Sequence, residues 1–346
     1  MRVLIAKLSS FGDVIHTFPA VTDLKTARPE IEVDWLVEEA YAPLVRRHPG
    51  VADVHAVALR RLRWPPLRWP ALIRHRRALR AALSARRYDL VLDVQGLLKS
   101  ALLARLAGAP IVGFDKASIR EPAALRLYQT QISLRRDRHI VEQLRRFFAE
   151  ALGYPLPGSL GRAGLSRPQQ RPAIDLPERY GLIVHGAAWP TKLWPEERWR
   201  SLMARLGAMG RALILPWGDA EERSRAARLA QGIAGAAPLP RKLDGEEVAE
   251  LVAGADFAIG IDTGFMHLAA AFDVPGVTLF GPTDAGYAIP YGPNQRAVSS
   301  HHPGARCQQV RCTREPHGQC CMRAVDADEV WAAVEAMLAE TAADRK

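Results

Sequence analysis

The chain has 346 residues, 48% apolar and 24% charged, with a formal net charge of +10. That length allows two domains of ordinary size, each with its own core, and no apolar run approaches the roughly 20 residues that a membrane span needs. The opening Met1-Arg-Val-Leu-Ile-Ala is too short an apolar run for a signal peptide, so the cytoplasm is the expected location. Charge is unevenly placed: residues 1–160 hold 26 Lys+Arg against 15 Asp+Glu, and the remainder 21 against 22. Between Asp53 and Asp89 stand ten arginines and no acid. A one-sided basic field points to an anionic partner, whether nucleic acid, anionic lipid or a phosphorylated substrate. A codon bias towards Arg and Ala would leave a similar composition.

Arg2-Val-Leu-Ile-Ala-Lys7 suits a buried parallel strand. Ser9-Ser-Phe-Gly-Asp13 follows, then a helix over Val14–Lys25. Strands are expected at Val33–Val37 and Val54–Val57, a helix at Leu72–Arg86 and a strand at Leu90–Asp93. A further helix, a strand at Pro110–Gly113 and a long basic helix around His139–Leu152 complete the first half. This alternation implies an open parallel α/β sheet. The Pro/Gly/Arg-rich stretch from Gly153 to Pro172 lacks periodicity and reads as an interdomain linker. A second strand series begins at Tyr180–His185 and continues at Ala212–Pro216, Ala237–Leu239, Phe257–Ile261 and Gly276–Phe280, with helices between. Asp326–Thr341 is a terminal amphipathic helix. The expected division is residues 1–160, an acceptor-binding domain, 161–325, a donor-binding domain, and a final helix, 326–346, packing back on the first domain. Two Rossmann-like halves place a ligand in the cleft between them, at the carboxyl ends of the strands.

The most informative segment is Gly260-Ile-Asp-Thr-Gly-Phe-Met-His267, running into an apolar helix and then Val274 to Asp284. Asp262, Thr263 and backbone N–H groups meet at a helix N-terminus, where phosphate is favoured. His267 follows Thr263 by four residues, which would put both on one helix face. A diphosphate binder is the first expectation.

Ser9-Ser-Phe-Gly-Asp13 ends the first strand at the mouth of a helix. Asp13 either complements the helix dipole or serves as a general base for a hydroxyl nucleophile, and Gly12 permits close approach of a substrate. With neither GxGxxG nor GK[ST], dinucleotide-fingerprint and P-loop chemistry are disfavoured. His185-Gly-Ala-Ala-Trp-Pro-Thr-Lys192 is a second post-strand loop, and a lysine there can meet the charge that builds on a departing diphosphate. Glu222, after Pro216-Trp-Gly-Asp, reads either as a ribose contact or as a first-turn helix acid. Arg60, Arg61 and Arg63 lie in a basic, Trp- and Pro-rich loop. Arginine forks match phosphate, and tryptophans suit a bilayer interface. Cys307, Cys312, His317, Cys320 and Cys321 are suitable ligand types for zinc or iron. They lack a clean pair of CxxC units, so reduced structural thiols are expected there and no metal site.

Taken together, the opening Met1–His16, Val33–Glu39, Tyr88–Ser100, Arg120-Glu-Pro122, the Lys192-Leu-Trp-Pro loop and Gly260–Asp284 resemble the lipopolysaccharide heptosyltransferases, GT-B glycosyltransferases of family 9. The likeness runs over nearly the whole chain. Its Asp-Thr-Gly wording favours the first heptosyltransferase over the second. The resemblance implies two Rossmann-like domains facing a central cleft and transfer of L-glycero-D-manno-heptose from ADP-heptose to the first Kdo of Kdo2-lipid A. The new bond would be α-1,5, formed with inversion in lipopolysaccharide inner-core synthesis. It further implies Asp13 as general base, with Lys192 at the donor phosphate and heptose and Glu222 at the ribose. Asp262 would contact a heptose hydroxyl, and Thr263, Gly264 and His267 would form the diphosphate turn. Ser9, Ser10, Gly12, Arg60, Arg61, Arg63 and Arg120 fall on the acceptor side. Ala187 and Ala188 fall on the donor side, where many relatives carry hydroxyl residues, and Trp64 follows Arg63 where a further base is common.

An inverting displacement needs a base on one side of the anomeric carbon and leaving-group stabilisation on the other, and these residues supply both. With no DxD-like motif on a predicted cleft loop, turnover without an obligatory cofactor or metal is expected. Peripheral contact with the anionic cytoplasmic face of the inner membrane is expected too, and no nucleic-acid partner. Two rivals remain at this stage. One is heptosyltransferase II or another GT-B enzyme with a different acceptor. The other is a non-catalytic basic protein that binds nucleic acid or membrane through residues 54–88.

Overall fold

The structure is a computed structural model that describes residues 1–59, 69–134, 138–313 and 320–343. The chain divides into two compact units, Met1–Ser166 and Arg167–Lys346.

In the first unit the strands are β1 (Arg2–Ala6), β2 (Glu32–Glu38), β3 (Asp53–Val57), β4 (Leu90–Asp93), β5 (Ile111–Phe114) and β6 (Thr130–Ile132). They form one parallel sheet in the order β3-β2-β1-β4-β5-β6. Val3 pairs with Val33 on one side and Leu90 on the other. β1 is central, so Val3, Leu4, Ile5 and Ala6 are all fully buried, as expected of a strand covered on both faces. The connecting helices are α1 (Phe11–Ile15), α2 (Phe18–Ala27), α3 (Ala42–Arg46), α4 (Trp69–Arg86), α5 (Leu98–Ala104) and α6 (Ile140–Leu152). The single helix expected over Val14–Lys25 is two helices. Pro19 has no N–H to give and sits in the first turn of α2, the place where a helix tolerates it.

The second unit repeats the plan. Strands β7 (Gly181–Val184), β8 (Leu213–Leu215), β9 (Ala236–Pro238), β10 (Phe257–Ile261), β11 (Gly276–Phe280) and β12 (Gln295–Ser299) lie in the order β12-β11-β10-β7-β8-β9, all parallel. Its helices are α7 (Glu196–Ala208), α8 (Ala220–Ala230), α9 (Gly245–Ala253), α10 (Gly264–Ala271), α11 (Ala285–Ala288), α12 (Cys320–Arg323) and α13 (Ala327–Ala343). Trp194 and Trp199, both fully buried, meet edge to face at 5.1 Å in its core. Val330, Val334, Met337 and Leu338 of α13 belong to that same core, so the terminal helix is part of the second unit.

The linker is a structured strap as far as residue 166. Arg145 of α6 donates to the carbonyls of Pro157 (3.2 Å) and Ser159 (2.9 Å). Thr22 donates to Ala163 O and Ser166 N–H to Arg47 O. The change of unit therefore falls at 166/167, six residues beyond the expected 160/161 boundary.

Each sheet reverses its winding once, between β1 and β4 and between β7 and β10. At such a switch point the two crossover connections leave in opposite directions and open a crevice beyond the strands' carboxyl ends, where ligands bind.

Candidate active site

At the first switch point β1 delivers Lys7 to Asp13. Gln95, just past β4, accepts the N–H groups of Leu8 and Ser9 through its side-chain oxygen, both at 3.1 Å. This ties the β1 loop to the β4 loop. Asp93 is buried and saturated, accepting from Gln95 N, Gly96 N, Ser100 Oγ and Tyr128 OH. It therefore braces the crevice and leaves no lone pair for substrate.

Asp13 lies in the first turn of α1. Its Oδ2 accepts from both the backbone N–H and the hydroxyl of Ser10, each at 2.9 Å. That is the reaching-back half of a capping box. Burial alone would raise its pKa, but Lys7 above all, then His16, the Ser10 N–H and Arg120, hold the carboxyl well below the usual aspartate range. Helix capping is thus shown for Asp13, and its lowered pKa favours the carboxylate form that a general base would also need. Arg120 is close enough for its charge to act on Asp13. Lys7 was not expected there. It is buried at 7% exposure and donates to Val94 O at 2.9 Å, and burial lowers its pKa while Asp13 opposes the drop. Arg60, Arg61 and Arg63 lie outside the described residues.

At the second switch point Lys192 Nζ donates to Asp262 Oδ2 (2.7 Å) and to Asp262 O (3.0 Å), and sits 4.9 Å from the centre of the Trp189 ring. His267 Nε2 lies 3.4 Å from Asp262 Oδ1. Burial pushes the Asp262 carboxyl up, but His267 and Lys192 together hold it well below the usual range. Thr263 is the N-cap of α10, one turn before His267, whose N–H lies 3.4 Å from Thr263 O. Its hydroxyl is buried without a hydrogen-bond partner among the described residues. A buried, unpartnered hydroxyl beside the unpaired N–H groups of a helix start suits an anionic oxygen.

Glu222 is in the first turn of α8 and accepts the Gly218 N–H at 2.6 Å. A Cβ placed on Gly186 would lie 2.6 Å from Glu222 Oε1. A glycine there lets this carboxylate rest against the mouth of β7, beside half-buried Ala187 and exposed Ala188. The second site thus gathers Lys192, Asp262, Thr263, Gly264 and His267 around the start of α10, and Glu222, Ala187 and Ala188 beyond β7.

A doubly wound fold used twice, with an ionised carboxylate at one switch point and a cation–hydroxyl–imidazole set at a helix start in the other, defines the class of two-domain nucleotide-sugar glycosyltransferases. The model of glycosyltransferase family 9 (heptosyltransferase) matches residues 76–317. The chain is 47% identical to lipopolysaccharide heptosyltransferase 1 of Pseudomonas aeruginosa over 91% of its own length and 88% of that protein's. Among solved structures it is similar to the E. coli heptosyltransferase WaaC with ADP, with a TM-score of 0.85 and 39% identity over 97% of this chain and 100% of that one. The same E. coli enzyme with ADP-2-deoxy-2-fluoro heptose gives a TM-score of 0.81 and 40% identity, over 97% and 99%. The chain belongs to glycosyltransferase family 9, the heptosyltransferases, and its fold is that of the GT-B enzymes. Within that family it groups with lipopolysaccharide heptosyltransferase 1.

Proposed function

We propose that this heptosyltransferase moves L-glycero-D-manno-heptose from ADP-heptose to the first Kdo of Kdo2-lipid A, in one inverting displacement. The first unit supplies the base: Asp13 accepts the proton of the attacking Kdo hydroxyl as the new α-1,5 bond forms. The second unit supplies leaving-group stabilisation: Lys192, Thr263, His267 and the N–H groups at the start of α10 meet the negative charge growing on the departing ADP. Asp262 orients Lys192 and His267 and contacts heptose hydroxyls, and Glu222 takes the ribose. Ser9, Ser10, Gly12, Arg120 and the arginines at 60, 61 and 63 receive the acceptor and its phosphates. The acceptor is anchored in lipid, so the enzyme works peripherally on the cytoplasmic face of the inner membrane. Among the described residues no helix is long and apolar enough to cross a membrane.

The observation that carries this reading is the partly accessible Asp13 carboxylate at the first switch point, oriented by the Ser10 N–H and hydroxyl at 2.9 Å. The test is ADP release from ADP-heptose, with and without Kdo2-lipid A. Release is expected only with that acceptor and without an added divalent cation. Release only with an acceptor that already bears heptose would instead assign the second transfer of the core. Loss of turnover on EDTA treatment that Mg²⁺ alone restores would contradict the metal-independent mechanism.

A further inference from the structure

All four cysteines of the chain gather in the second unit, beside Gly281 just past β11. Cys312 and Cys320 Sγ are 3.1 Å apart, and Cys320 and Cys321 Sγ are 3.7 Å apart. The Cys307 thiol is near enough to Cys321 to help raise that thiol's pKa, after burial and Cys320. A ring nitrogen of His302 and the thiols of Cys320 and Cys321 all lie within 4.8 Å of one another. The thiols come from two separate pieces of chain, the 307–312 loop and α12. Left-handed backbone at Arg306 (φ 59°) and Gln308 (φ 55°), costly for residues with a Cβ, flanks Cys307.

A tetrahedral thiolate site with metal–sulfur bonds of about 2.3 Å spaces its sulfurs about 3.8 Å apart, close to the 3.7 Å Cys320–Cys321 separation. No three of the four thiols lie within 4.8 Å of one another, so metal loading draws Cys307 and Cys312 in towards that pair. The 3.1 Å pair is well beyond a disulfide bond of about 2.05 Å. The surrounding architecture also calls for a clip. Between the end of β12 at Ser299 and the start of α13 at Ala327, α12 is the one helix or strand among the described residues. Long connections of this kind in a compact domain are usually functional or separately tethered. This connection is tied to the donor site: Thr191, next to Lys192, donates to Gln309 O at 2.8 Å, and Arg306 N–H donates to Gly281 O at 2.9 Å, just past β11.

We infer that Cys307, Cys312, Cys320 and Cys321 bind one divalent cation of the zinc class, zinc or ferrous iron, with His302 beside them, and that this clip braces the turn carrying Lys192. His302 Nδ1 accepts the Gly304 N–H at 2.9 Å, which leaves the imidazole neutral and its other nitrogen protonated, a donor towards bound thiolate. Loading replaces four S–H bonds by four metal–sulfur bonds and releases four protons to solvent. The role is structural, and it reverses the expectation of plain reduced thiols.

The test uses the full-length protein, reduced and then dialysed against Zn²⁺ or Co²⁺. About one metal per chain is expected by elemental analysis, and analysis of the protein as purified distinguishes zinc from iron. Co²⁺ should give the intense visible bands of tetrahedral thiolate coordination, and the loaded thiols should resist a thiol reagent until a strong chelator is added. The Co²⁺ spectrum should collapse in Cys312→Ser, at a half-buried position, while the far-UV circular dichroism stays native. Four freely reactive thiols in the presence of Zn²⁺ would overturn the inference, and so would a Cys312–Cys320 disulfide in a metal-free protein. Both readings come from the wild type and do not depend on the variant folding.

Discussion

At the scale of single residues, the proposed base, Asp13, is shaped by its neighbours as much as by itself. Asp13 is legible in the sequence as an acid following Gly12 at the start of a helix in the loop after β1, a position that suits a helix cap and a base alike. Lys7 is not legible. One residue past an apolar run it reads as the strand's polar end, and only the closeness of the β1 and β4 loops shows that it is buried in the field of Asp13. The consequence is chemical. Lys7 heads the cations that lower the Asp13 pKa, so it keeps the base ionised and also weakens it. The sign follows directly: without that cation, burial still raises the carboxyl pKa and less opposes it. In Lys7→Met the acid limb of the kcat/KM pH profile should move to higher pH. A profile superimposable on wild type would show that Lys7 serves packing alone. Thr263 gives a similar lesson. Its spacing from His267 suggested a shared helical face. Its place is the N-cap, one turn earlier, and what qualifies it for the diphosphate is a buried hydroxyl with no protein partner.

At the scale of elements, strands and helices with strong apolar runs are where the periodicity put them: β4, β10 and β11 have the expected bounds. The strands left unread are β6 and β12, both at sheet edges, half-exposed and short of apolar residues. Edge strands bury too little to leave a pattern. The linker was legible as a break in periodicity, yet its attachment was not, because it is held by side-chain and backbone contacts to α2, to Arg47 and, above all, to Arg145 of the preceding helix. Arg145, 1% exposed, pairs with Asp23 at 2.6 Å and Glu142 at 2.8 Å besides holding the Pro157 and Ser159 carbonyls. Removing one member of a buried ion pair strands the other, at about 3–5 kcal/mol. Arg145→Met should therefore lower the denaturant midpoint by that much stability without changing the m-value. Adding Asp23→Leu should restore part of it, since the stranded charge is then gone. A single variant as stable as wild type would mean that the strap is held by other contacts.

At the scale of the whole molecule, the chain uses one topology twice and charges the two copies differently. The first 160 residues carry all of the excess positive charge and the remainder is slightly acidic, a distribution that suits the proposed division into a phosphate-rich acceptor on the first unit and a donor on the second. Neutralising Arg60, Arg61 and Arg63 together should raise the KM for Kdo2-lipid A and leave the KM for ADP-heptose unchanged. Equal loss on both substrates would indicate damage to the fold. Such a basic stretch would also suit a nucleic-acid binder, but that reading leaves Asp13, Lys192 and Thr263 without a purpose, and family membership sets it aside.

The central claim is that Asp13 takes the acceptor proton. The measurement that tests it most directly is acceptor-dependent ADP release by Asp13→Ala beside wild type, with ADP binding measured on the same samples. General-base assistance is worth about 10²–10⁴-fold, so turnover should fall by that factor while ADP binds with unchanged affinity. Near-normal turnover in a variant that still binds ADP would contradict the account.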